Sequence, residues 1–134
     1  MGMSYSGDLS LAEAWNLLSN NHDSVLIDVR TQEEWNGIGV PDLASLNKQA
    51  ILLPWALAPD YRHNPEFLQK FTALELPLDT KLLFICKAGG RSAQAASTIA
   101  QLGYTNCHNV AGGFDGNGVD TCWKSENLPW KECA

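Results

Sequence analysis

Leu82-Leu83-Phe84-Ile85 runs straight into Cys86-Lys87-Ala88-Gly89-Gly90-Arg91-Ser92, and this junction constrains the fold more than any other stretch of the chain. Four consecutive apolar residues without polar alternation predict a strand buried on both faces, as in a parallel sheet covered by helices. Behind the glycines, Ala93, Ala95, Ala96 and Ala100 precede Gly103. That pattern predicts a helix over 92–102, closed by a glycine and able to lie close against the sheet. A buried strand, a tight loop and a small-residue helix make half of a βαβ unit.

The rest of the chain repeats the alternation. Ser10 and Glu13 form a capping box ahead of Leu11, Ala14, Trp15 and Leu18, which predicts a helix ending near residues 20–21. Val25-Leu26-Ile27 reads as a second buried strand running into Asp28-Val29-Arg30. Thr31 and Glu34 then cap a short helix carrying Trp35. Residues 37–50 read as loop, and Ile51-Leu52-Leu53 as another buried strand. Asn64-Pro65 predicts a helix start, with Phe67, Leu68, Phe71 and Leu74 as its apolar stripe. A last strand is expected around His108-Asn109-Val110, before the turn at Ala111-Gly112-Gly113. Strands alternating with helices predict an α/β fold with a mainly parallel sheet. The 134 residues are read as one domain, 1–134, with 1–7 a flexible N-terminus.

Ligands of such sheets bind beyond the carboxyl ends of the strands. Asp28 and Cys86 both fall at such ends, and Cys86 is the candidate nucleophile. The following helix start leaves unpaired backbone N–H groups. Gly89 and Gly90 let successive amides curl toward one point. Lys87 and Arg91 add positive charge beside the sulfur. The helix macrodipole supplies only roughly 0.3–1 kcal/mol, so amide hydrogen bonds and the cations are expected to dominate thiolate stabilisation. A structural cysteine ending a strand is the plainer reading, and it would suit a cysteine without these neighbours.

A net charge of −6 excludes a general binder of nucleic acid or anionic membranes, because such a face needs a basic excess. No run of about 18 apolar residues exists to span a membrane, and MGMSYSGDLS lacks the regions of a signal peptide. Met1-Gly2 with Ser6 matches the loose myristoylation pattern, which a Met-Gly added ahead of a native Met3 explains at least as well. Cys86, Cys107, Cys122 and Cys133 are too unevenly spaced for a disulfide framework, so reduced thiols in the cytoplasm are expected. Without a C-x2-C pair, Cys107, His108, Cys122 and Cys133 predict no metal site. One of these cysteines serves as a resolving thiol for Cys86, or all are ordinary free thiols.

In order along the chain stand Asp28-Val29-Arg30, Glu34-Trp35, Gly37, the Cys86-to-Arg91 loop, Leu102-Gly103-Tyr104, Asn109-Val110-Ala111-Gly112-Gly113, Trp123 and Leu128-Pro129-Trp130. As an ordered set these resemble a rhodanese-family domain over most of the sequence. The resemblance implies a rhodanese-like α/β fold with a mainly parallel central sheet of about five strands flanked by helices. It also implies that Cys86 accepts sulfane sulfur from a small anionic donor such as thiosulfate, forming a persulfide with no separate cofactor. A thiol or cyanide acceptor then removes the sulfur, giving ping-pong kinetics.

Lys87, Ala88, Gly89, Gly90, Arg91 and Ser92 would cradle the persulfide through their amides, with the two cations attracting the donor. Asp28 would organise the loop from the neighbouring strand end or cap a turn, Arg30 would pair with Glu33 or Glu34, and Trp35 and Trp55 would line the mouth. Family members that hydrolyse phosphate esters resemble C-x5-R, whereas four residues separate Cys86 from Arg91 here. The family's usual His-Ile and Gly-Ala after the position of Gly37 are replaced by Ile38-Gly39-Val40-Pro41-Asp42-Leu43-Ala44. That change lies at the rim of the site. The rival functions are a non-catalytic binding module, in which Cys86 is dispensable, and a phosphatase or arsenate reductase, which the short loop disfavours.

Overall fold

The computed structural model describes residues 5–133. Its centre is a five-stranded, wholly parallel sheet built from β1 (Gly7–Leu9), β2 (Ser24–Asp28), β4 (Ile51–Leu52), β7 (Lys81–Ile85) and β8 (Cys107–Val110). The strand order is β1-β8-β7-β2-β4. Around it lie α1 (Leu11–Asn20), α2 (Gln32–Ile38), α3 (Phe67–Ala73) and α4 (Gly90–Ala100). Two small ribbons complete the fold: β3 (Val40–Pro41) with β9 (Trp130–Lys131), and β5 (Ala56–Leu57) with β6 (Arg62–His63). The expected α/β architecture, a parallel sheet of five strands flanked by helices, is the one found.

The uninterrupted apolar run of β7 has a direct cause. Successive strand side chains point to opposite faces, and here both faces are covered. Leu82 and Phe84 pack with Ile27, Phe67, Phe71, Ala95, Ala96 and Ile99 on one face. Leu83 and Ile85 pack with Leu11, Ala14, Leu18, Leu26, Phe114 and Trp123 on the other. Each such side chain contributes about 1.5–3 kcal/mol by leaving water. Fully buried Ala95 and Ala96 bring α4 close to the sheet, so the residues at its start are held against the end of β7.

Both predicted capping boxes are present, with Ser10 and Glu13 opening α1 and Thr31 and Glu34 opening α2. Other expectations are corrected. β4 pairs only with β2 and leaves Leu52 exposed, so it is an edge strand, not one buried on both faces. α3 begins at Phe67 rather than at Asn64-Pro65. Asn64 instead donates from Nδ2 to the Pro54 carbonyl and accepts the Glu66 N–H, making a turn before the helix.

Residues 37–50 hold the end of α2, β3 and a 3-10 turn at Ala44–Leu46, instead of loop alone. α4 starts at Gly90, two residues early, and Gly103 follows its end at φ +104°. Met1 to Ser4, including the acylation pattern at Gly2, lie outside the described residues. Of the segment read as a flexible N-terminus, Ser6 donates its backbone N–H to the Cys107 carbonyl (2.6 Å) and Gly7 opens β1.

Candidate active site

Cys86 follows β7 directly and is buried. The backbone after it is held from outside by the loop that follows β8. Phe114 N–H donates to the Cys86 carbonyl and Gly116 N–H to the Lys87 carbonyl, each at 2.8 Å. Gly113 and Gly89 have no side-chain alternative. Gly113 lies at φ +73° with a Cβ blocked by the Lys87 carbonyl, and Gly89 at φ +101° with one blocked by the Ala111 carbonyl. With its first two carbonyls turned onto that buttress, the loop directs donors at the sulfur. Sγ receives the Gly89 N–H at 3.1 Å and the Ser92 N–H at 3.4 Å, with Ser92 Oγ at 3.2 Å.

Ser92 Oγ also lies 2.6 Å from Asn109 Oδ1. Asn109 Nδ2 donates to Asp8 Oδ1 (3.0 Å) and to the Gly89 carbonyl (3.2 Å), which fixes the amide so that its oxygen faces Ser92. A hydroxyl has one proton. Ser92 Oγ stands within reach of both Asn109 Oδ1 and Cys86 Sγ, so it can donate to only one of them at a time.

The two loop cations meet carboxylates. Arg91 donates from Nη1 and Nη2 to the Glu34 carboxylate at 2.8 and 3.0 Å, while Glu34 Oε1 also accepts the Thr31 N–H (3.0 Å). Burial alone would raise the Glu34 pKa, but the bonds from Arg91 and Thr31 outweigh it and hold the carboxyl below its ordinary value. For Arg91, burial pulls the pKa down, and the bond to Glu34, with the charges of Glu34 and Cys86, more than offsets it. Lys87 Nζ lies 2.7 Å from Asp115 Oδ2, and that bond raises the lysine pKa.

Asp28 and Arg30 form a separate pair. Arg30 Nε donates to Oδ1 at 2.9 Å and Nη2 to Oδ2 at 2.6 Å, and both side chains are fully buried. Arg30 Nη2 also donates to the Gly39 carbonyl (2.8 Å), and its guanidinium stacks 4.1 Å from the Phe114 ring centroid. The expected Arg30 pairing with Glu33 or Glu34 is thus corrected: Asp28, two residues away, takes the guanidinium, and Glu34 is taken by Arg91. The Asp28 carboxylate accepts from Arg30, whose guanidinium stacks on Phe114, and the Phe114 N–H holds the Cys86 carbonyl.

Trp35 is buried, with its indole N–H unpartnered, and does not line the mouth. Trp55 does line a cleft beside Arg91, of about 720 Å³, with Tyr61, His63 and Gln94. In the rim segment Ile38–Ala44, Val40–Pro41 pairs antiparallel with Trp130–Lys131. Gly39, at φ +112°, has no room for a Cβ against Trp130. Cys107, the first residue of β8, is buried, and desolvation pushes its thiol up to about 11. Sequence reasoning missed Asn109, Glu34, Asp115 and Asp8 as parts of this site. The available signals were that Asn109 lies within the predicted last strand and that Glu34 and Asn109 both stand in the motif set that carries the resemblance.

The family model for the STR4 middle domain matches residues 6–134. An uncharacterized protein of Rickettsia prowazekii (strain Madrid E) is 43% identical over 119 residues, 89% of this chain and 92% of its own. The crystal structure of Rv0390 from M. tuberculosis matches with a TM-score of 0.85 at 36% identity, covering 97% of this chain and 100% of that one. More distantly, a sulfurtransferase from Allochromatium vinosum is 29% identical over 112 residues, 84% of this chain and 82% of that one. The polysulfide-sulfur transferase homodimer of Wolinella succinogenes shares the fold, at TM-score 0.70 and 24% identity over 98% of this chain and 81% of its own. The sheet order, the cysteine loop beyond β7 and the full-length family match agree: the chain belongs to the STR4 middle domain family and is a rhodanese-like domain.

Proposed function

We propose that the protein is a sulfurtransferase that moves sulfane sulfur on Cys86. One observation carries the reading: Sγ already receives the N–H groups of Gly89 and Ser92, and the N–H groups of Ala88, Gly90 and Arg91 have no acceptor among the described residues. An added terminal sulfur is anionic and needs such donors. The span from Cys86 to Arg91, four intervening residues, suits one sulfur better than a tetrahedral phosphate.

In the first displacement the Cys86 thiolate attacks the outer sulfur of the donor. A new S–S bond forms, the donor's S–S bond breaks, and its electron pair leaves on sulfite when the donor is thiosulfate. In the second, a thiolate or cyanide attacks the terminal sulfur and the Cys86 thiolate returns. Splitting the transfer in this way predicts ping-pong kinetics. Ser92 would donate to the anionic sulfur in both half-reactions, with Asn109 taking the proton's other position. The four free thiols fit a reducing compartment such as the cytoplasm, and no helix among the described residues is long and apolar enough to cross a membrane.

Thiocyanate production from thiosulfate and cyanide tests the reading. Parallel double-reciprocal lines and complete loss in Cys86→Ser are expected. Turnover that survives Cys86→Ser rules it out.

A further inference from the structure

The cysteine loop holds two cations and is flanked by two carboxylates that hold them. Lys87 Nζ sits 2.7 Å from Asp115, and Arg91 is bound through both terminal nitrogens by Glu34. Both carboxylates are largely buried, and Asp115 Oδ1 has no hydrogen-bond partner among the described residues. Glu34 is fixed by the capping box at Thr31. Asp115 stands between Phe114 and Gly116, whose amides hold the Cys86 and Lys87 carbonyls, and its side chain is 17% exposed against 51% for Lys87. Nearby Arg30 is buried on Asp28, and Lys124 rests 3.8 Å from the Trp130 ring centroid. The formal charge of the loop pairs is therefore zero, on a chain of net charge −6.

We propose that this cancelled charge makes the site prefer singly charged sulfane donors over dianionic thiosulfate, with Asp115 as the residue that sets the preference. The inference rests on the Cys86 persulfide reading and names the donor class for that site. Backbone N–H groups supply the attraction, and they serve a monoanion as well as a dianion. A second negative charge on the donor finds neither Lys87 nor Arg91 without a carboxylate partner. It must still lose its hydration, and it doubles the repulsion from the Asp115 carboxylate and from the acidic surface.

Thiosulfate and methanethiosulfonate isolate the charge. Both present a terminal sulfane sulfur, one as a dianion and the other as a monoanion. The same S–S bond to Cys86 forms in each case, and the electron pair leaves on sulfite or on methanesulfinate.

kcat/KM is measured for both donors, with cyanide as acceptor, in the wild-type protein, Asp115→Asn and Asp115→Glu. Removing the carboxylate charge is worth about threefold per unit of donor charge at a partly exposed site. Asp115→Asn should therefore raise kcat/KM about ninefold for thiosulfate and about threefold for methanethiosulfonate, shifting their ratio about threefold toward thiosulfate. Asp115→Glu should keep the wild-type ratio. Because both donors are read on one sample, the ratio is insensitive to any change in the folded fraction. An unchanged ratio in Asp115→Asn overturns the proposal while leaving the persulfide reading intact. Failure of both donors to load Cys86 in the wild-type protein overturns both.

Discussion

Two arginine–carboxylate pairs stand near the same ends of the same strands, and they do different work. Arg30 and Asp28 have no exposed side-chain surface, and the guanidinium also holds the Gly39 carbonyl and the Phe114 ring. Arg91 and Glu34 keep 18% and 10% of their side-chain surface exposed, and Arg91 lies in the cysteine loop itself. The buried pair joins β2, the turn after α2 and the loop after β8 into one frame. The outer pair joins α2 to the start of α4 beside the Trp55 cleft. The difference teaches that an arginine in a motif is not thereby a substrate-binding arginine: its burial and its existing partners decide.

Breaking the buried pair should have the largest effect. Arg30→Ala leaves Asp28 as an uncompensated buried charge, and about 3–5 kcal/mol of stability should be lost. Urea denaturation reads this directly. A loss below about 1 kcal/mol would put this pair in the same class as the outer one.

Ser92→Ala tests whether activity depends on donors at the sulfur more than on the outer cation. The variant removes one hydrogen bond to an anionic sulfur, worth about 1.5–3 kcal/mol, so kcat/KM should fall about tenfold to a hundredfold. Stability should change less, because Asn109 retains its bonds to Asp8 and Gly89. An equal loss of kcat/KM in Ser92→Ala and in Glu34→Gln would erase the distinction between donors and cations.

Glu34→Gln keeps an oxygen for the capping box and removes only the charge. Its stability cost should be below about 1 kcal/mol at neutral pH, as for pairs near the surface. The pH dependence sharpens this. The folded-state pKa of Glu34 is held below the ordinary 4.5. Its stabilisation is therefore fully present above that ordinary value and is lost as pH falls through the lower folded value. Thermal melts should show wild type and Glu34→Gln converging as pH drops below the ordinary 4.5 and on through the lower folded-state value. Curves that stay parallel from neutral pH down through that window would remove Arg91 as the partner of Glu34.

What could be read from the sequence follows the distance over which the physics acts. The capping boxes at Ser10 and Thr31 and the β7–loop–α4 junction are local, and each is found. So is the placement of Asp28 and Cys86 at strand ends, since both follow from apolar runs. The partners of the loop side chains were hidden. Ser92 meets Asn109 from 17 residues away, Lys87 meets Asp115 from 28, and Arg91 meets Glu34 from 57.

Those meetings depend on the order β8-β7-β2 in the sheet, which no local periodicity encodes. The rim from Ile38 to Ala44 was read as loop for a related reason. Its two-residue strand exists only because the C-terminal Trp130–Lys131 returns to pair with it. Asn64 misled in the opposite way: an Asn-Pro step serves a turn as readily as a helix cap, and here the Pro54 carbonyl claimed its side chain.

The central claim is that Cys86 carries the sulfur, and intact-protein mass after incubation with a sulfane donor tests it most directly. Thiosulfate or methanethiosulfonate should add the mass of one sulfur atom, cyanide should remove it, and Cys86→Ser should show no addition. A protein that gains no sulfur from either donor, or that gains it equally in Cys86→Ser, contradicts the account.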